Sequence, residues 1–171
     1  MAATVVERRP AACAVHVFNG PIEVGLRVLV LLVESFPEGF DLQRLITLDY
    51  LLVHSGDFEG GPPSLHPPSP LRAGEVAVRR ELITDGLHFY RARALVEKVE
   101  SDSGFLYRAD EEAGAFLDAL TSTYARALRD RAEWVFESIA GLTSEELQKV
   151  LDEGLGRWRT EFEVLGDLEA E

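Results

Sequence analysis

Cysteine is almost absent from this chain of 171 residues: Cys13 stands alone, as does a single methionine. One cysteine excludes an internal disulfide and fits a reducing compartment. Long apolar runs are missing as well. The most hydrophobic stretch, VLVLLV at Val28–Val33, is bracketed by Arg27 and Glu34. A membrane span needs ~20 apolar residues, so this run reads as a buried helix. The opening residues, MAATVVERRPAACAVH, lack a continuous apolar core before a cleavage site. The expectation is a cytoplasmic protein with no membrane association.

Catalytic signatures are also lacking. No G-x-S-x-G occurs, and GLGRW and FEGGPP lack the Gly-Lys-Ser/Thr ending of a phosphate cradle. Cys13 has only His16 beside it. No cofactor and no small-molecule ligand are expected, and no internal repeat is visible. Positive charge is scarce: 17 Lys and Arg face 30 Asp and Glu, a net charge of −13. Residues 1–70 hold 4 basic and 8 acidic groups, residues 71–109 hold 7 and 6, and residues 110–171 hold 6 and 16. Such a surface repels nucleic acid over a Debye length of ~8 Å. Tight DNA binding by the isolated chain is therefore disfavoured, and basic protein partners suit it better.

What is present is a helical pattern interrupted once. Residues 1–17 read as a tail. Asn19 and Pro21 suit a helix start before PIEVGLRVLVLLVESF, which is apolar on most faces. Asp41 suits the cap of LQRLITLDYLLVHSG, with Gly56 as its C-terminal glycine. A proline- and glycine-rich loop fills 57–73. A third helix is expected from Gly74, with Val76, Val78, Leu82, Ile83, Leu87, Phe89 and Tyr90 on an apolar arc, and Gly86 as a point of bending. Arg80, Thr84, His88 and Arg91 fall opposite. Arg79 and Arg93 fall inside the arc, where a partner acid such as Asp49 is required.

The period then changes. LVEKVESDSGFLYRA reads as two strands around a Ser-Gly turn. Helix, helix, helix, hairpin is the order of a winged helix-turn-helix. Further helices follow at ADEEAGAFLDALT and 122–140. Thr143 and Glu146 form a T-x-x-E capping box for a last helix whose stripe includes Trp158 and Phe162. The expected fold class is α+β, mostly helical. Residues 18–121 form a winged-helix-like domain with a β-hairpin wing, and 122–171 a C-terminal helical extension.

The segment FNGPIEVGLR…DLQRLITLDYLLVHSGD…GGPPSLHPPSPLRAGEVAVRRELITDGL resembles the middle component of bacterial ABC-three-component systems, which are related to the Lamassu anti-phage systems. Its most specific parts are LDYLLVHSGD, SLHP and RRELI, and it spans roughly residues 18–137. The resemblance implies a small non-catalytic adaptor. It would bridge or restrain an effector, often a nuclease, on an ABC or SMC-like ATPase. No catalytic residue comes with it.

Three readings compete for the chemistry. The first is a metal hydrolase using His54, Asp57 and His66. His54 and His66 are twelve apart, without the tight pairing of metal sites. Asp49 and His54 lie about 140° apart around a helix. The structural reading is favoured: His54 and Asp57 satisfy backbone groups at the helix end, and His66 anchors the loop. The second is a DNA-binding regulator that uses Arg80, Arg91 and Lys98. The third is partner binding through Trp158, Phe162, Asp49, His54 and His66, with the last helix docked in cis or laid into a partner's groove. The adaptor is preferred, with the winged-helix transcription regulator as its rival.

Overall fold

The computed structural model describes residues 19–58, 60–67, 72–102, 104–139, 142, 143, 145–147 and 149, with the side chains of 72–77 and 139 outside the description. The expectations for Cys13, Val76, Trp158 and Phe162 lie outside the described residues.

The first helix, α1, runs Pro21–Glu34. Pro21 enters at its first turn, where a missing N–H costs nothing. The cap is Gly20, not Asn19 as the sequence suggested. Asn19 sits one residue earlier at φ 71°, a left-handed conformation that asparagine tolerates. The Asn19 amide donates to Glu23 Oε2 at 2.7 Å, which ties the entering chain to the first turn. Helix α2 spans Leu42–Val53. Here the expected cap holds, with the Arg44 amide donating to Asp41 Oδ1 at 2.8 Å. Gly56 does not close α2. The helix ends at Val53, His54 is its C-cap, and Gly56 lies within a short 3₁₀ turn, Ser55–Asp57.

Helix α3 covers Arg72–Arg91, two residues earlier than Gly74, and passes through Gly86 without a break. Gly86 serves packing instead. A Cβ there would stand 2.6 Å from the Gly25 Cα and 2.6 Å from the Pro21 carbonyl. The two glycines let α1 and α3 cross with backbones nearly touching. Arg93 also departs from expectation. It lies past the end of α3, exposed, with its guanidinium 3.4 Å from the centre of the Phe89 ring. Val78 is exposed as well, rather than on the buried arc.

The hairpin forms as expected from β1, Val96–Ser101, and β2, Gly104–Ala109, paired antiparallel from Val96↔Ala109 to Ser101↔Gly104. Gly104 has φ +123°, which favours glycine at the turn. Phe40 and Tyr107 exchange backbone hydrogen bonds of 2.9 and 2.8 Å, an isolated β-bridge that ties the α1–α2 connection to β2. Helices α4, Ala113–Asp118, and α5, Thr123–Ile139, complete the order. The T-x-x-E box closes as read. The Thr143 amide donates to Glu146 Oε2 at 2.7 Å, and the Glu146 amide to Thr143 Oγ1 at 3.2 Å.

The described fold is thus α+β and mostly helical, with one two-stranded hairpin. The core unites α1 (Val28, Leu31), α2 (Leu45, Leu48, Leu52), α3 (Ile83, Leu87), β2 (Tyr107) and α5 (Leu128, Val135). Fully burying one such aliphatic side chain stabilises the fold by about 1.5–3 kcal/mol. Helix α2 is buried without interruption from Leu45 to Val53. That sequence includes an aspartate, and the site follows from it. No helix among the described residues is long and apolar enough to cross a membrane.

Candidate functional site

Asp49 is fully buried in the middle of α2. An isolated carboxylate there would cost far more than a domain can spare, so it must be paired. Arg27 of α1 donates to it through Nε at 2.7 Å and through a second guanidinium nitrogen at 3.3 Å. Arg79 of α3 donates to Asp49 Oδ2 at 2.8 Å. Both arginines are themselves buried. One carboxylate therefore joins three helices. Burial alone would push the Asp49 pKa up, but the charges of Arg27 and Arg79 outweigh it and hold the carboxyl below its usual range. Burial would likewise lower Arg27, and Asp49 outweighs it in the other direction.

The web continues outward. Arg27 donates to Asn19 Oδ1 at 2.8 Å and lies 3.9 Å from Glu23 Oε1. Tyr124, at the start of α5, donates its hydroxyl proton to Glu23 Oε1 at 3.1 Å. With that proton committed, the Tyr124 oxygen accepts from His66 Nε2 at 3.0 Å. Burial raises the Tyr124 pKa to about 12. Burial first, and Arg27 second, lower that of His66 and favour the neutral ring.

The proline-rich loop is pinned to this web. Both the Leu65 and His66 amides donate to the Val53 carbonyl, at 3.0 and 3.2 Å. Ser55 Oγ donates to the Pro62 carbonyl at 3.0 Å, and Arg131 of α5 to that of Pro63 at 2.8 Å. His54 is buried with its ring centre 4.9 Å from that of Tyr50 and 6.4 Å from that of His66. Asp57 accepts from the Tyr50 hydroxyl at 3.0 Å. Among the described residues no group of three His, Cys, Asp or Glu side chains is placed to hold a metal ion.

The described residues around Asp49 thus form a paired web that joins α1, α2, α3 and α5. Residues 17–161 match the family described as ABC-three component (ABC-3C) system Middle Component 2. The chain belongs to that family. Comparison with curated proteins and with solved structures gives no match. A middle component is one part of a three-component system, so it works beside other components.

The residues named from the sequence are placed as follows. Asp49, His54 and His66 come together with Asp57 around the end of α2. Asp49 and His54, expected at a partner surface, have 0% and 1% exposure, so a partner reaches them only through the side chains around them. His66 and Asp57 are both partly exposed. Arg80 and Arg91 on α3 and Lys98 on β1 are all exposed. Lys98 sits 3.7 Å above the Phe105 ring. Glu23, Arg27 and Tyr124 were not anticipated. A signal existed for the first two. An Arg–Glu pair spaced i, i+4 inside a helix apolar on most faces has nowhere to put its charge except a buried partner.

Proposed function

We propose that this middle component is a non-catalytic adaptor that links an ABC or SMC-like ATPase to an effector, a nuclease by preference, in an anti-phage defence complex of the Lamassu-related kind. The observation that carries the reading is the family match over residues 17–161. The buried web supports it. Its ionisable groups are spent on one another and on the fold, which suits a rigid spacer better than an active site. The order of α1, α2, α3 and hairpin suits a winged-helix-like body, with the hairpin as its wing. Net charge of −13 favours protein partners with basic surfaces over bare nucleic acid.

The test is co-purification. A tagged chain expressed with the neighbouring genes of its system should retain an ATPase and an effector through size-exclusion chromatography. Recovery of neither subunit would sink the adaptor. A second reading, the DNA-binding regulator, draws on the exposed Arg80, Arg91 and Lys98. It requires nanomolar, sequence-selective binding by the isolated chain.

A further inference from the structure

The C-terminal end of α1 and the β2–α4 junction leave a groove between them. Its cavity is about 260 Å³ and is lined by Val33, Phe36, Ala109, Asp110, Glu111 and Gly114. Three features set it apart from ordinary surface. Phe36 is 50% exposed, although a phenylalanine gains from burial. Gly114 removes a side chain from the wall, and a Cβ built there would meet nothing within 4 Å. The rim is acidic: Asp110 and Glu111 line it, Glu34 and Glu112 flank the lining residues in sequence, and the sequence has no Lys or Arg at 28–43 or 109–125. The nearest cation in sequence, Arg108, is committed to Glu97 at 2.7 Å.

An apolar floor with an acidic rim selects its occupant by charge. We propose that this groove seats one apolar side chain, Leu- or Phe-sized, from a segment of a partner subunit of the same system, with flanking Lys or Arg residues on Asp110 and Glu111. The cavity is of the size of one large side chain with its neighbours rather than of a drug-sized ligand, whose pockets run from about 300 Å³ upward. Anchor residues of this kind carry most of the energy of an interface, and the rim charges set its specificity and its rate of formation. This inference rests on the adaptor reading and adds the surface on which it operates.

The experiment uses the full chain co-expressed with the other two components of its system. Three variants are compared with the wild type: Gly114→Leu, which fills the groove from its own wall, Glu111→Lys, which reverses the rim, and Phe36→Asp. Phe36 and Glu111 are exposed and a Cβ at Gly114 meets nothing within 4 Å, so the melting temperature serves as the control for folding. Each variant should weaken retention of one partner tenfold or more with an unchanged melting temperature, and retention by the wild type should fall as salt rises. A photo-crosslinking residue at position 36 should label a partner segment in which an apolar residue lies beside Lys or Arg. Wild-type retention of both partners by Gly114→Leu and Glu111→Lys would overturn the groove and leave the adaptor standing. So would a cross-link to a second copy, or to residues 151–171 of the same chain. A wild type that retains neither partner overturns both.

Discussion

Arg79 and Arg80 are adjacent on α3, about 100° apart around the helix, and have opposite surroundings. Arg79 is 4% exposed and spends its charge on Asp49. Arg80 is exposed, as are Arg91 and Lys98. The inner set (Arg27, Asp49 and Arg79) joins α1, α2 and α3. Among the described residues the outer set makes no ion pair of comparable burial. The Arg108–Glu97 pair of the hairpin, at 2.7 Å, has side chains nearly half exposed. The same residue types thus act as internal bracing on one face of a helix and as free surface on the other. Coulomb's law explains the difference: an ion pair out of water is strongly coupled, and one in water is screened.

The comparison breaks most visibly if the carboxylate at its centre is removed. Asp49→Ala removes the carboxylate that the two buried guanidiniums share and should destabilise the fold by about 3–5 kcal/mol. Urea unfolding followed by circular dichroism would measure it. Sharper still is the triple replacement Arg27→Met, Asp49→Leu and Arg79→Met. If the web is bracing and nothing more, an apolar substitute should recover much of that loss, because it also removes the desolvation cost. A triple variant as unstable as Asp49→Ala would show that this web cannot be exchanged for apolar packing.

The next effect tests the packing that brings the arginines within reach. Gly86→Val places a branched side chain where Gly25 and the Pro21 carbonyl already stand. Overpacking of this kind costs about 1–3 kcal/mol, and here the close neighbours are backbone that cannot step aside. Gly25→Ala should act in the same direction, since its Cβ would meet the Tyr90 ring at 2.8 Å. Both are read as lower urea midpoints at unchanged slope.

A smaller effect comes from pH at the edge of the inner set. His66 has a folded pKa below its ordinary 6.5, because burial and Arg27 oppose a second positive charge. In the window below 6.5 the unfolded chain binds more protons than the folded one, so stability falls as the pH falls through the folded pKa of His66. The groups that face His66 are Glu23, Tyr124, Arg27, His54 and Asp49. His66→Gln should flatten stability against pH below 6.5, measured as urea midpoints across the range. An unchanged slope would place the proton uptake elsewhere. Tyr124 works in the opposite sense. Its folded pKa of about 12 stands above the ordinary 10, so its contribution is present below 10 and lost on approach to 12.

Much of this was legible in the sequence where one residue decides a local matter. Asp41 as a cap, the Thr143–Glu146 box and the turn at Gly104 each follow from chemistry within a few positions. The Arg79–Asp49 pair was legible for a different reason: a cation on an apolar arc must find an acid, and α2 offers one at its apolar centre. Asn19, Gly56 and Gly86 were misread because their roles depend on what packs beside them. Gly86 looks like a helix breaker until α1 is laid against it. Tyr124 lies 101 residues from Glu23, and no local period could have joined them.

The smallest expected effect concerns the outer set, and it decides between adaptor and DNA reader. Charge reversal at Arg80 and Arg91 should change stability by no more than about 0.5 kcal/mol, because exposed positions away from caps and pairs rarely do more. It should also leave assembly with the partner subunits intact if the acidic groove near α4 is the docking surface. Isolated, the chain carries −13 against a handful of outward cations. Neutralising two or three phosphates gives weak, salt-sensitive association, at or below the non-specific level of ~10⁻⁴–10⁻⁶ M. Fluorescence anisotropy with labelled duplexes across a salt series would read this directly, and the slope against salt would count the phosphates engaged. A shallow slope with loss of binding in Arg80→Glu would assign these residues a secondary DNA contact, one that a basic partner subunit could strengthen. Nanomolar, sequence-selective binding abolished by Arg80→Glu would reverse the comparison: the outer face would then be the functional one, and the adaptor reading would give way to the regulator.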